Sequence, residues 1–211
     1  MPASTPRRLT RRGLFVAATA AVGAVALSAC SSDDSGLAEQ ADSADGKGYI
    51  SGDGTVTEYR EDERGEPVVF SGKLFTGEEV TGESLRGAPA VVNFWYAGCA
   101  PCRAEAPHLR ALHDEFGDGV GFLGVNLRDE RGTAEAFERN FGIDYPSIED
   151  RAGGVLMDLS NFVPAQAVPT TLVLDPEGRV SARVLGQIDE SVLRTLIDDV
   201  LPGGGSGSGD E

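Results

Sequence analysis

One stretch constrains this chain more than any other: Val91-Val92-Asn93-Phe94-Trp95-Tyr96-Ala97-Gly98-Cys99-Ala100-Pro101-Cys102-Arg103-Ala104-Glu105-Ala106-Pro107. It joins an apolar run, a short turn, a Cys-x-x-Cys pair and a helical pattern. The run Ala90–Trp95 is apolar on both faces, which predicts a strand in the middle of a sheet. The pattern after it predicts a helix from about Cys99 to Phe116, with Leu109, Leu112 and Phe116 as core. Pro107 should bend that helix. Cys99 then lies at a helix N-terminus, with Cys102 one turn inside. Unpaired backbone N–H groups and the positive end of the helix dipole face the Cys99 sulfur and favour thiolate. Its pKa should fall below about 8.5, the value of a free thiol. A thiolate attacks disulfides and a thiol does not. Cys99 is therefore the expected nucleophile, and Cys102 the thiol that resolves the mixed disulfide. Pro101 fits the first turn, where a missing N–H costs nothing.

Other chemistry uses the same spacing. A tetrahedral zinc site needs two more ligands, and the chain offers only Cys30, His108 and His113. A purely structural disulfide across three residues closes so small a loop that it stabilises little. Dithiol redox chemistry fits best, with no metal and no cofactor. The formal net charge of −16 argues against a nucleic-acid partner.

Asn93-Phe94-Trp95 before Cys99-Ala100-Pro101-Cys102, with Arg103, Glu105 and Pro107 after it, resembles the TlpA/ResA family of membrane-tethered thioredoxin-like proteins. The resemblance covers roughly residues 65–201 and includes Ala167-Val168-Pro169-Thr170-Thr171, which leads into a strand. It implies a cis Pro169 beside the cysteines; an ordinary trans proline before a strand is the alternative. It also implies a Cys99–Cys102 disulfide in the oxidised form, and a docking surface that includes Trp95, Gly98, Ala100, Pro101 and Val168. Many members carry Trp directly before the first cysteine. Gly98 stands there in this chain and removes apolar surface from the expected docking face.

Thioredoxin carries a buried Asp just before Phe-Trp, where this chain has Asn93, which cannot titrate. Glu105, three residues after Cys102, should project back toward it, because helical side chains lean toward the N-terminus. The resemblance makes Glu105 the active-site acid; a surface Glu paired with a neighbouring Arg is the alternative. His108 and His113 read as partly exposed and outside the chemistry. Arg110, Asp114 and Glu115 read as solvated.

Residues 1–29 read as a lipoprotein signal peptide. Arg7, Arg8, Arg11 and Arg12 precede an apolar stretch, Leu14 to Leu27, that is too short to span a bilayer comfortably. Leu27-Ser28-Ala29-Cys30 resembles a lipobox, which makes Cys30 the expected lipidation site. Thr10-Arg11-Arg12-Gly13-Leu14-Phe15 resembles a twin-arginine signal, with an ordinary secretory signal as the alternative. Cleavage before Cys30 removes four of the 18 basic residues and no acid, leaving 14 against 34 and a net charge of −20. An anionic membrane repels such a domain, so a lipid anchor is the more plausible attachment.

Residues 30–66 are polar, acidic and Gly-rich and read as a flexible tether, with Tyr49-Ile50 and Val56 as candidates to pack on the domain. Residues 67–201 read as the folded domain. They begin with a hairpin over 67–87, in which Val68-Phe70 and Leu74-Phe75 supply the strands. A second strand, Val120–Leu127, and a helix, Thr133–Phe141, come after the active-site helix. Asp144 to Ile148 reads as a connection toward a short helix near Gly153–Leu156. A strand at Thr170–Leu174, a turn at Asp175-Pro176-Glu177-Gly178, an antiparallel return over Arg179–Leu185 and a helix over Asp189–Leu201 complete the pattern. Residues 202–211 read as a disordered Gly/Ser tail.

The expected fold is α/β and thioredoxin-like: a mixed, mostly parallel sheet with helices on both faces, an N-terminal β-hairpin and a family-type central insertion. The expected activity is extracytoplasmic thiol–disulfide exchange, in the reducing direction, by a monomer. The resemblance implies a protein disulfide as substrate, with apocytochrome c as the favoured class, and a membrane electron donor of CcdA/DsbD type. Two alternatives remain. A thiol peroxidase shares the architecture but needs Thr three residues before its cysteine, where this chain has Tyr96. A non-catalytic binding lipoprotein would not need the intact cysteine pair.

Overall fold

A computed structural model of the chain describes residues 49–51 and 54–203. The expected signal peptide, Cys30, most of the expected tether and residues 204–211 lie outside the described residues. Nine strands are seen among the described residues: β1 (Tyr49–Ser51), β2 (Gly54–Glu58), β3 (Ser71–Lys73), β4 (Glu79–Thr81), β5 (Ala90–Trp95), β6 (Gly121–Asn126), β7 (Ser147–Glu149), β8 (Thr170–Leu174) and β9 (Val180–Leu185). The helices are α1 (Ala100–Phe116), α2 (Arg131–Phe141), α3 (Gly154–Asp158) and α4 (Glu190–Asp198). The main sheet has the order β1-β2-β9-β8-β5-β6-β7.

The sheet is mixed, as expected, but its pairings are mostly antiparallel rather than mostly parallel. Only β5–β6 and β6–β7 are parallel; β1–β2, β2–β9, β9–β8 and β8–β5 all run antiparallel. A short connection explains the antiparallel β8–β9 pair. Asp175 to Gly178 forms a tight turn closed by the Gly178 N–H on the Asp175 carbonyl at 2.8 Å, and Gly178 has φ +85°, open to glycine without strain. A turn that short can only return the chain antiparallel. Helical crossovers lie between β5, β6 and β7, where parallel pairing requires them.

Part of the stretch expected as tether is a strand: residues 55–58 pair with 182–185 of β9, and Val56 is buried. A segment with one apolar side chain becomes a strand because β9 presents unpaired N–H and C=O groups to it. The N-terminal hairpin is present, but its ladder runs between 71–73 and 79–81, one step later than the apolar runs. Val68 and Phe70 plug the core while Val69 faces solvent, and the Val68 N–H donates to the Gly178 carbonyl at 2.8 Å. Ser147 to Glu149, expected as a connection, forms the short edge strand β7 against β6.

The strand period divides the core. Ala90, Val92 and Phe94 of β5 pack in the cluster with Leu123, Leu172 and Leu174. Val91 turns to the opposite face, with Leu109 and Leu112 of α1 and Leu193, Leu196 and Ile197 of α4. Asn93 and Trp95 share that second face by the same alternation. The side chain of Asn93 therefore points at α1.

Candidate active site

Cys99 is the N-cap of α1: its Sγ accepts the N–H of Cys102 at 3.2 Å. The two cysteines form a disulfide, with Cα atoms 5.2 Å apart. The Cys102 N–H and the helix dipole both stabilise negative charge on Cys99 Sγ once the bond opens. Pro101 sits in the first turn of α1. α1 runs on past Pro107, which leaves the Arg103 carbonyl without its usual helical donor.

The loop between β5 and α1 is held from below. The Ala97 N–H donates to Asp129 Oδ2 at 2.6 Å, and Asn126 Nδ2 donates to the same oxygen at 2.8 Å. Asn126 Oδ1 in turn accepts the N–H groups of Arg128 and Asp129 at 3.2 and 2.9 Å. Asn126 ends β6 directly opposite Trp95 of β5. The carboxyl ends of two neighbouring strands thus fix the approach to Cys99.

The Val168–Pro169 bond is cis, and the Val168 carbonyl oxygen lies 3.9 Å from Cys99 Sγ. A disulfide sulfur carries no proton, so this is a contact and not a hydrogen bond. The Pro169 carbonyl accepts the Gly186 N–H at 2.8 Å, which ties the loop before β8 to the end of β9.

Glu105 is fully buried at 0% exposure, so it is no surface acid. It interrupts the apolar stripe of α1 formed by Cys102, Ala106, Leu109 and Leu112. Its Oε1 accepts from Asn93 Nδ2 at 2.8 Å, and its Oε2 accepts the Ile188 N–H at 3.0 Å. Asn93 Nδ2 also donates to Thr171 Oγ1 at 3.1 Å, its cross-strand neighbour in β8. Loss of hydration disfavours the anion, while the two donors favour it. Burial wins and pushes the Glu105 carboxyl up to about 8. Burial also pushes the nearby Tyr145 phenol up, and the Glu105 charge adds to that. A cavity of about 10 Å³, with room for roughly one water molecule, lies among Cys102, Asn93, Trp95 and Tyr145.

The structure brings Cys99, Cys102, Pro169 and Val168 together and places Glu105 beneath them. Gly98 and Ala100 are exposed beside Cys99, and Pro101 and Val168 are half-buried. Trp95 does not reach the surface, so it differs from the docking role expected of it. It is 4% exposed and stacks on Phe137, with ring centroids 4.5 Å apart. Gly124 of β6 makes room for it, since a Cβ there would lie 2.8 Å from Trp95 Nε1. His108 and His113 are half-buried and pair with Glu190 and Asp144, away from the cysteines. Sequence reasoning missed Thr171, Asn126, Asp129 and the Ile188 N–H. The first is legible only once the β5–β8 register is known. The Asn126-Leu127-Arg128-Asp129 step carries an Asx-turn pattern that could have been read.

Comparison with known proteins extends these observations. Residues 66–183 match the model of the AhpC/TSA family. The thiol-disulfide oxidoreductase ResA of Bacillus subtilis is 30% identical over 132 residues, which cover 62% of this chain and 72% of that protein. The structure of a DsbF homologue from Corynebacterium diphtheriae superposes with a TM-score of 0.62 at 33% identity, covering 72% of this chain and 98% of the other. That of a secreted thiol-disulfide isomerase from Corynebacterium glutamicum gives 0.61 at 31% identity, covering 73% and 95%.

Proposed function

This chain belongs to the AhpC/TSA family and, within it, to the ResA-type thiol–disulfide oxidoreductases; on that premise we propose how its residues divide the work. The Cys99 thiolate attacks a protein disulfide. One substrate sulfur leaves as thiolate, and a mixed disulfide with Cys99 remains. Cys102 then gives its proton to ionised Glu105, three residues on along the same helix, and attacks Cys99 Sγ. The second substrate sulfur leaves as thiolate and Cys99–Cys102 forms; two electrons have passed to the substrate, whose thiolates take one proton back from Glu105 and one from solvent. Pro169 and the Val168 carbonyl border Cys99 where the substrate backbone must lie. Gly98, Ala100 and Pro101 complete that surface.

The observation that carries this reading is the capped sulfur: Cys99 Sγ takes the Cys102 N–H at the head of α1 while an acid is buried one turn below. The proposed direction is reduction, outside the cytoplasmic membrane, with the domain held by a lipid on Cys30. A relative whose structure is described as secreted supports the location. An apocytochrome c, whose own Cys-x-x-Cys-His must be reduced before haem attachment, is the substrate class proposed, and a CcdA/DsbD-type membrane protein the electron donor.

Trapping tests it. Cys102→Ser should accumulate a mixed disulfide between Cys99 and its substrate. The same variant with Cys99→Ser should trap nothing. Capture through Cys102 in a Cys99→Ser chain would reverse the assignment. Peroxide consumption by the wild-type protein would instead favour peroxidase chemistry.

A further inference from the structure

Two arginines flank the loop that delivers Cys99. Arg103 lies in the first turn of α1; its guanidinium carbon sits 5.2 Å from the centroid of Phe141, and its Nη1 donates to the Ala97 carbonyl at 3.5 Å. Arg128 lies just past β6, with its guanidinium carbon 4.3 Å over the ring of Tyr96. Both are exposed. Residues 96 and 97, just ahead of Gly98 and Cys99, are thus gripped from two sides by cations.

Arg60, Arg64, Arg110, Arg131, Arg139, Arg151, Arg179 and Arg194 all pair with a carboxylate. Arg103 and Arg128, like Lys73, Arg86 and Arg183, are in no ion pair among the described residues, but these two alone among them stack on aromatic rings, and both lie beside the cysteine loop. A chain with 34 acids has ample means to neutralise two arginines, yet aromatic faces and a carbonyl hold them instead. Stacking fixes the planar guanidinium and leaves its charge and edge donors free for an incoming group. The carboxylate nearest in the loop framework, Asp129, already accepts from the Ala97 N–H and Asn126. The next, Glu130, pairs with Arg151 at 2.7 Å.

We propose that Arg103 and Arg128 form a cationic rim that selects protein disulfides flanked by carboxylates. This deepens the exchange reading above and rests on it. The acids elsewhere on the chain repel such a partner at long range. At 0.15 M ionic strength the Debye length is about 8 Å, so at the moment of docking the rim outweighs acids farther away. The rim would favour a cysteine with Asp or Glu beside it over one with Lys or Arg.

The test uses the reduced full chain and two disulfide-bonded peptides, identical except for Glu or Lys beside the cysteines. Each rate is divided by that of dithiothreitol on the same peptide, which removes intrinsic reactivity. At 0.15 M salt the wild type should prefer the Glu peptide by about tenfold. Arg103→Gln with Arg128→Gln should bring the two within about twofold, and Arg103→Lys with Arg128→Lys should restore most of the preference. An unchanged ratio in the Gln variant overturns the rim. So does an equal fall on both peptides, because it would mean that the arginines act on the thiolate. Reduction of neither peptide by the wild type would overturn the exchange reading itself, and the rim with it.

Discussion

Strand β8 has a buried carboxylate near each end, and the two are treated in opposite ways. At its exit, Asp175 is 1% exposed and meets two arginines: Arg179 Nε at 2.8 Å and Arg64 Nη1 at 3.1 Å. The Arg179 N–H adds a third bond at 2.8 Å. At its entrance, Glu105 of α1 packs over Thr171 through Asn93 and meets only neutral donors. Charge matched by charge closes the turn between β8 and β9. Charge met by dipoles alone is left able to gain or lose a proton near neutrality. The first arrangement serves the fold; the second, beside the cysteines, is the one proposed above to take part in turnover.

The largest expected effect lies at the entrance. Folding raises the Glu105 pKa from 4.5 to about 8, so the folded protein holds a proton that the unfolded chain has released throughout that window. Stability of the disulfide-bonded protein should therefore fall as pH rises from about 4.5 to about 8 and level off above it. The full shift is equivalent to about 5 kcal/mol, an upper bound. Other buried acids add their own slopes, but the difference between wild type and Glu105→Gln isolates this one. Urea unfolding at several pH values measures it, and parallel curves for the two proteins would mean that Glu105 titrates normally. The same variant should shift thiolate absorbance against pH in the reduced protein and slow exchange.

At the exit, Asp175→Asn should cost about 2–3 kcal/mol, because it leaves half-buried Arg64 without a carboxylate and Arg179 with only the exposed Glu61 and Glu177. Exchange rates should stay within about twofold of wild type. A large loss of exchange at full stability would erase the distinction between the two ends. The smallest effect tests the link through the sheet. Thr171→Val keeps the shape but removes the acceptor for Asn93, at about 1 kcal/mol. No change in urea midpoint would show that Asn93 is held by Glu105 alone.

The strand and helix around the cysteines were legible because each follows one period without interruption and the caps agree with it. Glu105 was legible because it follows Cys102 by three residues on one helix and matches the acid of the resembled family; its burial was not. The antiparallel bias of the sheet and the strand at 54–58 were not. Both depend on which partner offers free backbone groups, and a polar segment such as Gly54–Glu58 carries little pattern of its own. Trp95 was expected as a docking residue from the family resemblance. Only the space above Gly124 shows that it turns inward. The rim arginines were visible as letters, but their lack of carboxylate partners is a property of the assembled surface.

The strand order β9-β8-β5-β6 has a consequence for the order in which the chain is made. The cysteines leave the ribosome about 70 residues before Val168 and some 90 before Ile188, since synthesis runs from the N-terminus. Until then Cys99 lacks its carbonyl neighbour, and Glu105 lacks both Thr171 behind Asn93 and the Ile188 N–H. A nascent chain therefore displays a dithiol before it possesses a redox centre. Contacts of such long separation form slowly. Any fragment ending before β8 keeps the motif and loses the framework that gives it purpose.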